Sequence, residues 1–352
     1  MSELNTTILI PDISGFTEFM TNTELAHSTL AINMLMDAML KAIGDEYEVT
    51  EIEGDALLLL KKGASPSKKE IVDTCIRIFN AFHFQRNWMQ QYTVCPCAAC
   101  QALVNLTLKF VAHQGELAEI KVGNFVRQSG TDMIVAHRLL KNSIGKNEYL
   151  LVTDKLLRNT PDRSEELEMK WNASADEYGS IGKVEYQFAL FDEARKHVPL
   201  PDSPNTFYEA DNTPYFEVPI TANFHDVYMR VMAIPDRFNW VPGLQKVEQD
   251  IPHVFIGNTH HCQFDDYTTD VTPLRMTVSP EKIFYAESCA IVEKGIRIVH
   301  EFIFEKVDNE HCILKTRFMN AGQVPIPDDF NLALSIRLRK TALKLRELCE
   351  GA

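Results

Sequence analysis

"ILIPDISGFTEFM", residues 8–20, decides the reading of this chain. An apolar run meets Pro11 and Asp12, and a Ser14-Gly15-Phe16-Thr17 turn then opens a helix-like stretch. A strand that ends on a carboxylate and turns at once through a glycine has two readings. In one, Asp12 caps the helix, as an Asp placed before a helix commonly does. In the other, Asp12 and the turn amides of Gly15, Phe16 and Thr17 hold a metal and a phosphate, since N–H groups at a helix start favour anions. On this stretch alone the capped corner is the ordinary reading.

The neighbouring segments change the balance. "EIEGDALLLL", residues 51–60, reads as a hairpin turning at Gly54-Asp55. Two aspartates at the ends of neighbouring strands suit Mg²⁺, which takes one or two carboxylates plus substrate phosphates. A pair of such ions about 4 Å apart can serve both the attacking and the leaving oxygen of a phosphoryl transfer. Asp12 with Asp55 is therefore a candidate metal site.

The rest of the first half alternates strand-like and helix-like segments. Strands are expected at 6–11, 46–53, 55–61, 103–112, 117–123, 148–152 and 183–190. Helices are expected at 24–43, after the capping box Ser67–Glu70, and at 131–142. Gln114-Gly115 reads as a turn. Strands outnumber helices and arrive partly as hairpins, which predicts an α+β fold. A Pro-rich stretch near 192–214 separates a different rhythm: a strand at 215–220, a short helix at 224–233, long strands through 319 and an amphipathic helix at 328–349. Domains are expected at 1–191 and 214–352, joined by a linker at 192–213.

The totals agree with two soluble domains: 352 residues, 45% apolar and 24% charged. A net charge of −14 speaks against a nucleic-acid partner, which needs a basic surface. It does not oppose a nucleotide held through metal ions. No apolar run reaches membrane-spanning length, and "MSELNTT" lacks the basic and apolar regions of a secretory signal, so a cytoplasmic chain with no membrane span is expected. The eight cysteines then read as thiols or metal ligands. "CPCAAC" packs Cys95, Cys97 and Cys100 into six residues. One ion, structural Zn²⁺ foremost, could gather them with a fourth ligand such as Cys75, His83 or His113. The alternative is a group of reduced thiols. In His260-His261-Cys262 a strand would put His260 and Cys262 on one face and His261 on the other, which favours a plain structural role.

With "LKFVAHQGELAEIKVGNF" and "GTDMIVAHRLL" in place, residues 6–190 resemble the class III adenylate/guanylate cyclase domain. The carriers, in order, are Asp-Ile-x-Gly-Phe-Thr, the Gly-Asp hairpin, a strand ending in His-x-Gly, and Gly-x-x-x-x-x-Ala-x-Arg-Leu. The resemblance implies a ferredoxin-like nucleotidyl cyclase fold. It implies a nucleoside triphosphate held with Mg²⁺ or Mn²⁺ by Asp12, Asp55 and the Ile13 carbonyl. Arg138 and Lys183 would contact phosphate as the catalytic cations, and Glu51 and Arg127 would stand at the base-reading positions. It also implies a homodimer, with each site completed by the partner. His113 would be structural. The pattern departs at Ile134, where the family has an asparagine that steadies the transition state. Loss of one such donor typically costs 10²–10³ in rate. A slow nucleotidyl cyclase and a catalytically inactive nucleotide sensor or dimerisation scaffold thus remain side by side.

Residues 214–350 resemble the polyketide-cyclase/START-like helix-grip family through "YFEVPI", "HDVYMRVMA" and "RFNWVPGLQKVE" followed by long strands and one long helix. The implied property is a cavity for a small apolar ligand. Trp240, Phe238, Phe284, Phe302, Phe304 and Phe318 are candidates to line it, and core packing is the alternative for each.

Overall fold

The computed structural model describes residues 5–161, 169–202, 208–249 and 254–351. Part of the expected linker, including Pro204, lies outside them. The chain forms two compact units, one of residues 1–90 with 97–201 and the other of residues 91–96 with 202–352.

The first unit begins with β1 (Asn5–Ser14), α1 (Phe16–Asn22), α2 (Leu25–Ala42), β2 (Glu48–Glu53), β3 (Ala56–Lys62) and α3 (Lys68–Tyr92). It continues through α4 (Ala98–Ala102), β4 (Thr107–Glu116), β5 (Ala118–Val122), β6 (Phe125–Ser129), α5 (Thr131–Leu139) and β7 (Tyr149–Thr153). It closes with α6 (Asp154–Asn159), β8 (Trp171–Tyr178), β9 (Gly182–Leu190) and α7 (Asp192–Lys196). Seven strands form one sheet in the order β2-β3-β1-β4-β7-β9-β8, and β5 and β6 make a separate hairpin. Among the described residues of this sheet, only β4 and β7 are parallel neighbours. Strand β3 lies between β1 and β2, and β1 lies between β3 and β4. The connections through α1–α2 and through α3–α4 therefore each skip one strand, giving two interlocked split βαβ units of ferredoxin-like type.

The sequence explains the layout. Strand β1 is buried from Thr6 to Ser14 and β3 from Ala56 to Leu60, which is why both read as continuous apolar runs rather than alternating ones. The Ser67–Glu70 capping box forms: Ser67 N–H donates to Glu70 Oε2 at 2.7 Å, and Glu70 N–H donates to Ser67 Oγ at 3.1 Å. Three local readings change. Gln114-Gly115 is not a turn, because β4 pairs with β1 through both residues (Thr7↔Gln114, Thr6↔Gly115). Residues 103–105 are a single 3₁₀ turn instead of a strand start. Strands β6 and β8 were not legible; β8 reads WNASADEY, an edge strand that pairs with β9 alone among the described residues.

The second unit contains β10 (Phe216–Ile220), α8 (Phe224–Met232), β11 (Leu244–Gln249), β12 (His260–Phe264) and β13 (Thr268–Ser279). After these come β14 (Lys282–Ile291), β15 (Ile296–Lys306), β16 (Cys312–Asn320) and α9 (Asp328–Glu350). Its sheet is fully antiparallel in the order β10-β16-β15-β14-β13-β12-β11. Helix α9 buries Leu334, Leu338, Thr341, Ala342 and Leu345, one helical stripe. Leu345 and Ala342 join Phe302 and Phe304 in one cluster, and Leu334 joins Ile296 and Ile298 in another.

A charged pair is sealed inside this unit. Arg237 donates to both oxygens of Glu287, at 3.0 and 2.8 Å, and Tyr285 Oη donates to Glu287 Oε2 at 2.8 Å. Arg237 also hydrogen-bonds His260 Nε2 at 3.3 Å, and burial together with the Arg237 charge keeps that imidazole neutral. The alternation expected at residues 260–262 holds: His260 and Cys262 are buried and His261 is exposed. Arg237→Met leaves the buried Glu287 charge without its cation, with only the Tyr285 hydroxyl named above still bonded to it, and is expected to destabilise this unit by about 3–5 kcal/mol. Arg237→Met/Glu287→Leu should recover most of that loss. Urea unfolding of the two variants checks it, and equal losses would show that the pair is not the cause.

Candidate functional site

Asp12 lies within β1, two residues before its end, in register with Ala56 of β3 and Lys109 of β4. It does not cap the helix that follows. Gly15 holds the N-cap position of α1 with φ 88°, and no side chain caps that helix. A Cβ at Gly15 would stand 3.3 Å from the Asn105 carbonyl oxygen, so backbone conformation and space both call for glycine. Asp55 sits in the β2–β3 turn next to Gly54, and its carbonyl accepts the Ile13 N–H at 3.0 Å. That bond ties the two aspartates together at one end of neighbouring strands.

The electrostatics are those of a carboxylate pair short of positive charge. Burial pushes the Asp12 pKa up to about 6; Lys109 opposes the rise and the Asp55 charge adds to it. Burial raises Asp55 as well. Lys109 Nζ stands 3.7 Å from Asp12 Oδ1 and also donates to the Leu140 carbonyl at 3.2 Å. Its presence beside Asp12 was not read from the sequence, because the two residues are 97 positions apart and meet only through the β1–β4 register.

The remaining site residues fall into three groups. Gly15, Phe16 and Thr17 form the turn into α1, next along the chain from Asp12 and Ile13. Glu51 and Arg127 face each other, with Arg127 Nε 3.6 Å from Glu51 Oε1 and Arg127 Nη2 3.5 Å from Glu53 Oε1. Arg138 and Ile134 lie one turn apart on the exposed side of α5, while Met133 and Ala136 on the opposite side pack against Ile8, Ile10 and Leu58. Lys183 is exposed on β9 and pairs with Glu185 at 2.8 Å. His113 is buried with both ring nitrogens engaged, Nδ1 with Thr153 Oγ1 at 2.8 Å and Nε2 with Asp132 Oδ1 at 3.0 Å.

The three cysteines do gather, but with a different fourth residue. Cys95, Cys97 and Cys100 group with His27. Cys75 is sealed in the α3 core, His83 bonds Arg195, and His113 is engaged as above.

The second unit holds a mostly apolar cavity of about 70 Å³, room for several waters. Trp240, Phe302 and Phe318 line it, and Trp240 and Phe302 are at the same time members of the core cluster that holds Phe304, whereas Phe238 is exposed. Phe284 does not line it either. Two buried polar atoms on its wall, Trp240 Nε1 and Thr269 Oγ1, have no hydrogen-bond partner among the described residues.

Comparison with known proteins adds the following. Residues 32–149 match the family described as "Protein of unknown function (DUF2652)". The chain is 36% identical over 107 residues to the uncharacterized protein Rv2561/Rv2562 of Mycobacterium tuberculosis, a stretch that spans 30% of this chain and 50% of that protein. The chain thus matches about half the length of this curated relative. Among solved structures it is similar to the guanylyl cyclase Cya2 (14% identity, TM-score 0.39, 53% of this chain and 91% of that one). It is also similar to the adenylyl cyclase CyaB from P. aeruginosa (15% identity, TM-score 0.37, 53% and 94%). A third is a bacterial light-regulated adenylyl cyclase (16% identity, TM-score 0.38, 52% and 88%). Overlays at this level assign no activity to the chain, and the fold stands on its strand order.

The raised Asp12 pKa has a consequence for stability. In the unfolded chain the group loses its proton near pH 4, and in the folded protein near pH 6, so folding retains a proton between these values. Without added metal, stability contributed by this group should fall as pH rises from about 4 to about 6 and stay low above. Asp12→Asn removes the effect. The variant is expected to match the parent below pH 4 and to exceed it above pH 6 by roughly 2–3 kcal/mol. Urea midpoints at pH 4 and pH 7.5 in a chelating buffer measure the difference.

Proposed function

We propose that the first unit is a nucleotidyl cyclase-like domain that binds a nucleoside triphosphate with Mg²⁺ or Mn²⁺ at Asp12 and Asp55. The observation that carries this reading is the carboxylate pair itself. Asp12 remains hard to ionise even with Lys109 beside it, so the site lacks positive charge that a divalent ion would supply. Asp12, Asp55 and the Ile13 carbonyl are hard oxygen donors of the kind Mg²⁺ and Mn²⁺ take. A bound ion would neutralise the phosphates and acidify the ribose 3′-hydroxyl, which in a cyclase attacks the α-phosphorus and releases pyrophosphate. The Gly15–Thr17 turn would lie against the phosphates, and Lys183 would have to leave Glu185 to reach them.

Homodimerisation belongs to the same reading. Arg138 faces outward with Ile134, as a residue serving a partner's site would. Ile52, Ile120, Val122 and Val126 are more than half exposed around the same hairpins, apolar surface suited to association. A second reading has its own support. Ile134 offers no donor, and Glu51 and Arg127, at the base-reading positions, are paired with each other. These features favour a domain that senses a nucleotide and turns it over slowly or not at all. In the second unit, whose sheet and long helix α9 fit a helix-grip arrangement, the cavity would hold a small ligand with an apolar body and one acceptor for the Trp240 N–H.

Purified protein with Mn²⁺ and either ATP or GTP is expected to bind nucleotide in calorimetry, and Asp55→Ala to abolish the binding. Any cyclic product should form slowly and increase in Ile134→Asn. Binding without product leaves the sensor; no binding to either nucleotide overturns both nucleotide readings. Separately, mass spectrometry of solvent extracts of the full chain is expected to show one co-purifying small molecule that is lost in Trp240→Phe. Equal amounts from both proteins would remove Trp240 from the ligand site.

A further inference from the structure

The structure assigns a second metal site, independent of the nucleotide site: a structural Zn²⁺ held by His27, Cys95, Cys97 and Cys100. The ligand atoms of these four residues all lie within 4.8 Å of one another. His27 Nδ1 is 3.1 Å from Cys97 Sγ. Three thiols and one imidazole are the Cys₃His set of closed, four-coordinate zinc sites, and a tetrahedral ion with bonds of about 2.0–2.3 Å fits among atoms spaced in this way. Soft sulfur donors select zinc over magnesium or calcium. With four protein ligands no position is left for water or substrate, so the role is structural rather than catalytic.

The surrounding chain builds the site. Cys95 and Cys97 are separated only by Pro96, and Cys100 lies in the first turn of α4, so three sulfurs come from six residues. His27 comes from α2, more than 65 positions earlier in sequence, and its approach is held by a separate contact. The Glu24 carboxylate, one turn before His27, accepts the N–H groups of Ala98 and Ala99 at 3.4 and 3.1 Å. Positions three apart on a helix share a face, so Glu24 docking onto the start of α4 brings His27 to the sulfurs. All three cysteines are buried, and none is in a disulfide. Closing this site would fasten the N-terminal end of α2 to the segment that leads into β4, the strand that carries Lys109.

The test uses the full chain purified without added metal. Elemental analysis is expected to give about one zinc per chain, and the apoprotein should take up one Co²⁺ with a thiolate-to-cobalt charge-transfer band. His27→Ala, with folding checked by circular dichroism, should bind zinc at least 10-fold more weakly in competition with a chromogenic chelator. Cys100→Ser should lose most of the cobalt band. Binding should not change in Asp12→Asn, which separates this site from the nucleotide site. Absence of stoichiometric metal together with no cobalt spectrum would overturn the assignment. Iron with labile sulfide in place of zinc would overturn it as well, and unchanged affinity in His27→Ala would remove His27 from the ligand set.

Discussion

Strand β1 is hydrogen-bonded along both edges, to β3 on one side and to β4 on the other, and it is buried from Thr6 to Ser14. A strand in that position favours apolar side chains on both faces, and β1 has them from Ile8 to Pro11, just before Asp12. The carboxylate therefore sits where burial alone works against its charge. Every other feature of the corner follows from that constraint. The Ile13 N–H holds the turn that carries Asp55, Lys109 reaches across from β4, and Gly15 bends the chain away where Asn105 leaves no space for a side chain. A buried carboxylate beside a half-buried one, with one lysine close by, is a costly arrangement for stability alone, and the proposal of a bound cation rests on that cost.

The second unit answers the same physical problem in the opposite way. Arg237 and Glu287 satisfy each other with two hydrogen bonds, and Tyr285 and His260 complete the pairing. No further charge is called for there. What remains unpaired on the cavity wall is neutral, the Trp240 indole N–H and the Thr269 hydroxyl. The first unit's corner thus leaves carboxylate charge under-compensated, while the second unit's cavity leaves only neutral groups on its wall without a partner among the described residues.

Much of the candidate site was legible where its parts are local. The Asp12 corner and the Gly54-Asp55 turn each occupy a few consecutive residues, and the Ser67–Glu70 capping box formed as spacing required. Gln114-Gly115 was misread because a turn signal is a local preference, and ten residues of pairing with β1 outweigh it. The fourth residue of the cysteine group was missed for a related reason. Cys75, His83 and His113 were candidates by residue type, but the side chain that arrives is His27, placed by the docking of Glu24 on Ala98 and Ala99.

By itself the sequence determined the α+β character, the order of the main elements, the acidic corner, and the cysteine-rich segment, because each is written in residues close together along the chain. Only the tertiary structure decided that Lys109 faces Asp12, that Glu51 pairs with Arg127, that His27 joins three cysteines, and that Arg237 neutralises Glu287. These pairs lie 50 to almost 100 positions apart, and their meeting depends on strand register and helix docking. Both are set by the burial of many side chains at once, so no short stretch of sequence records them.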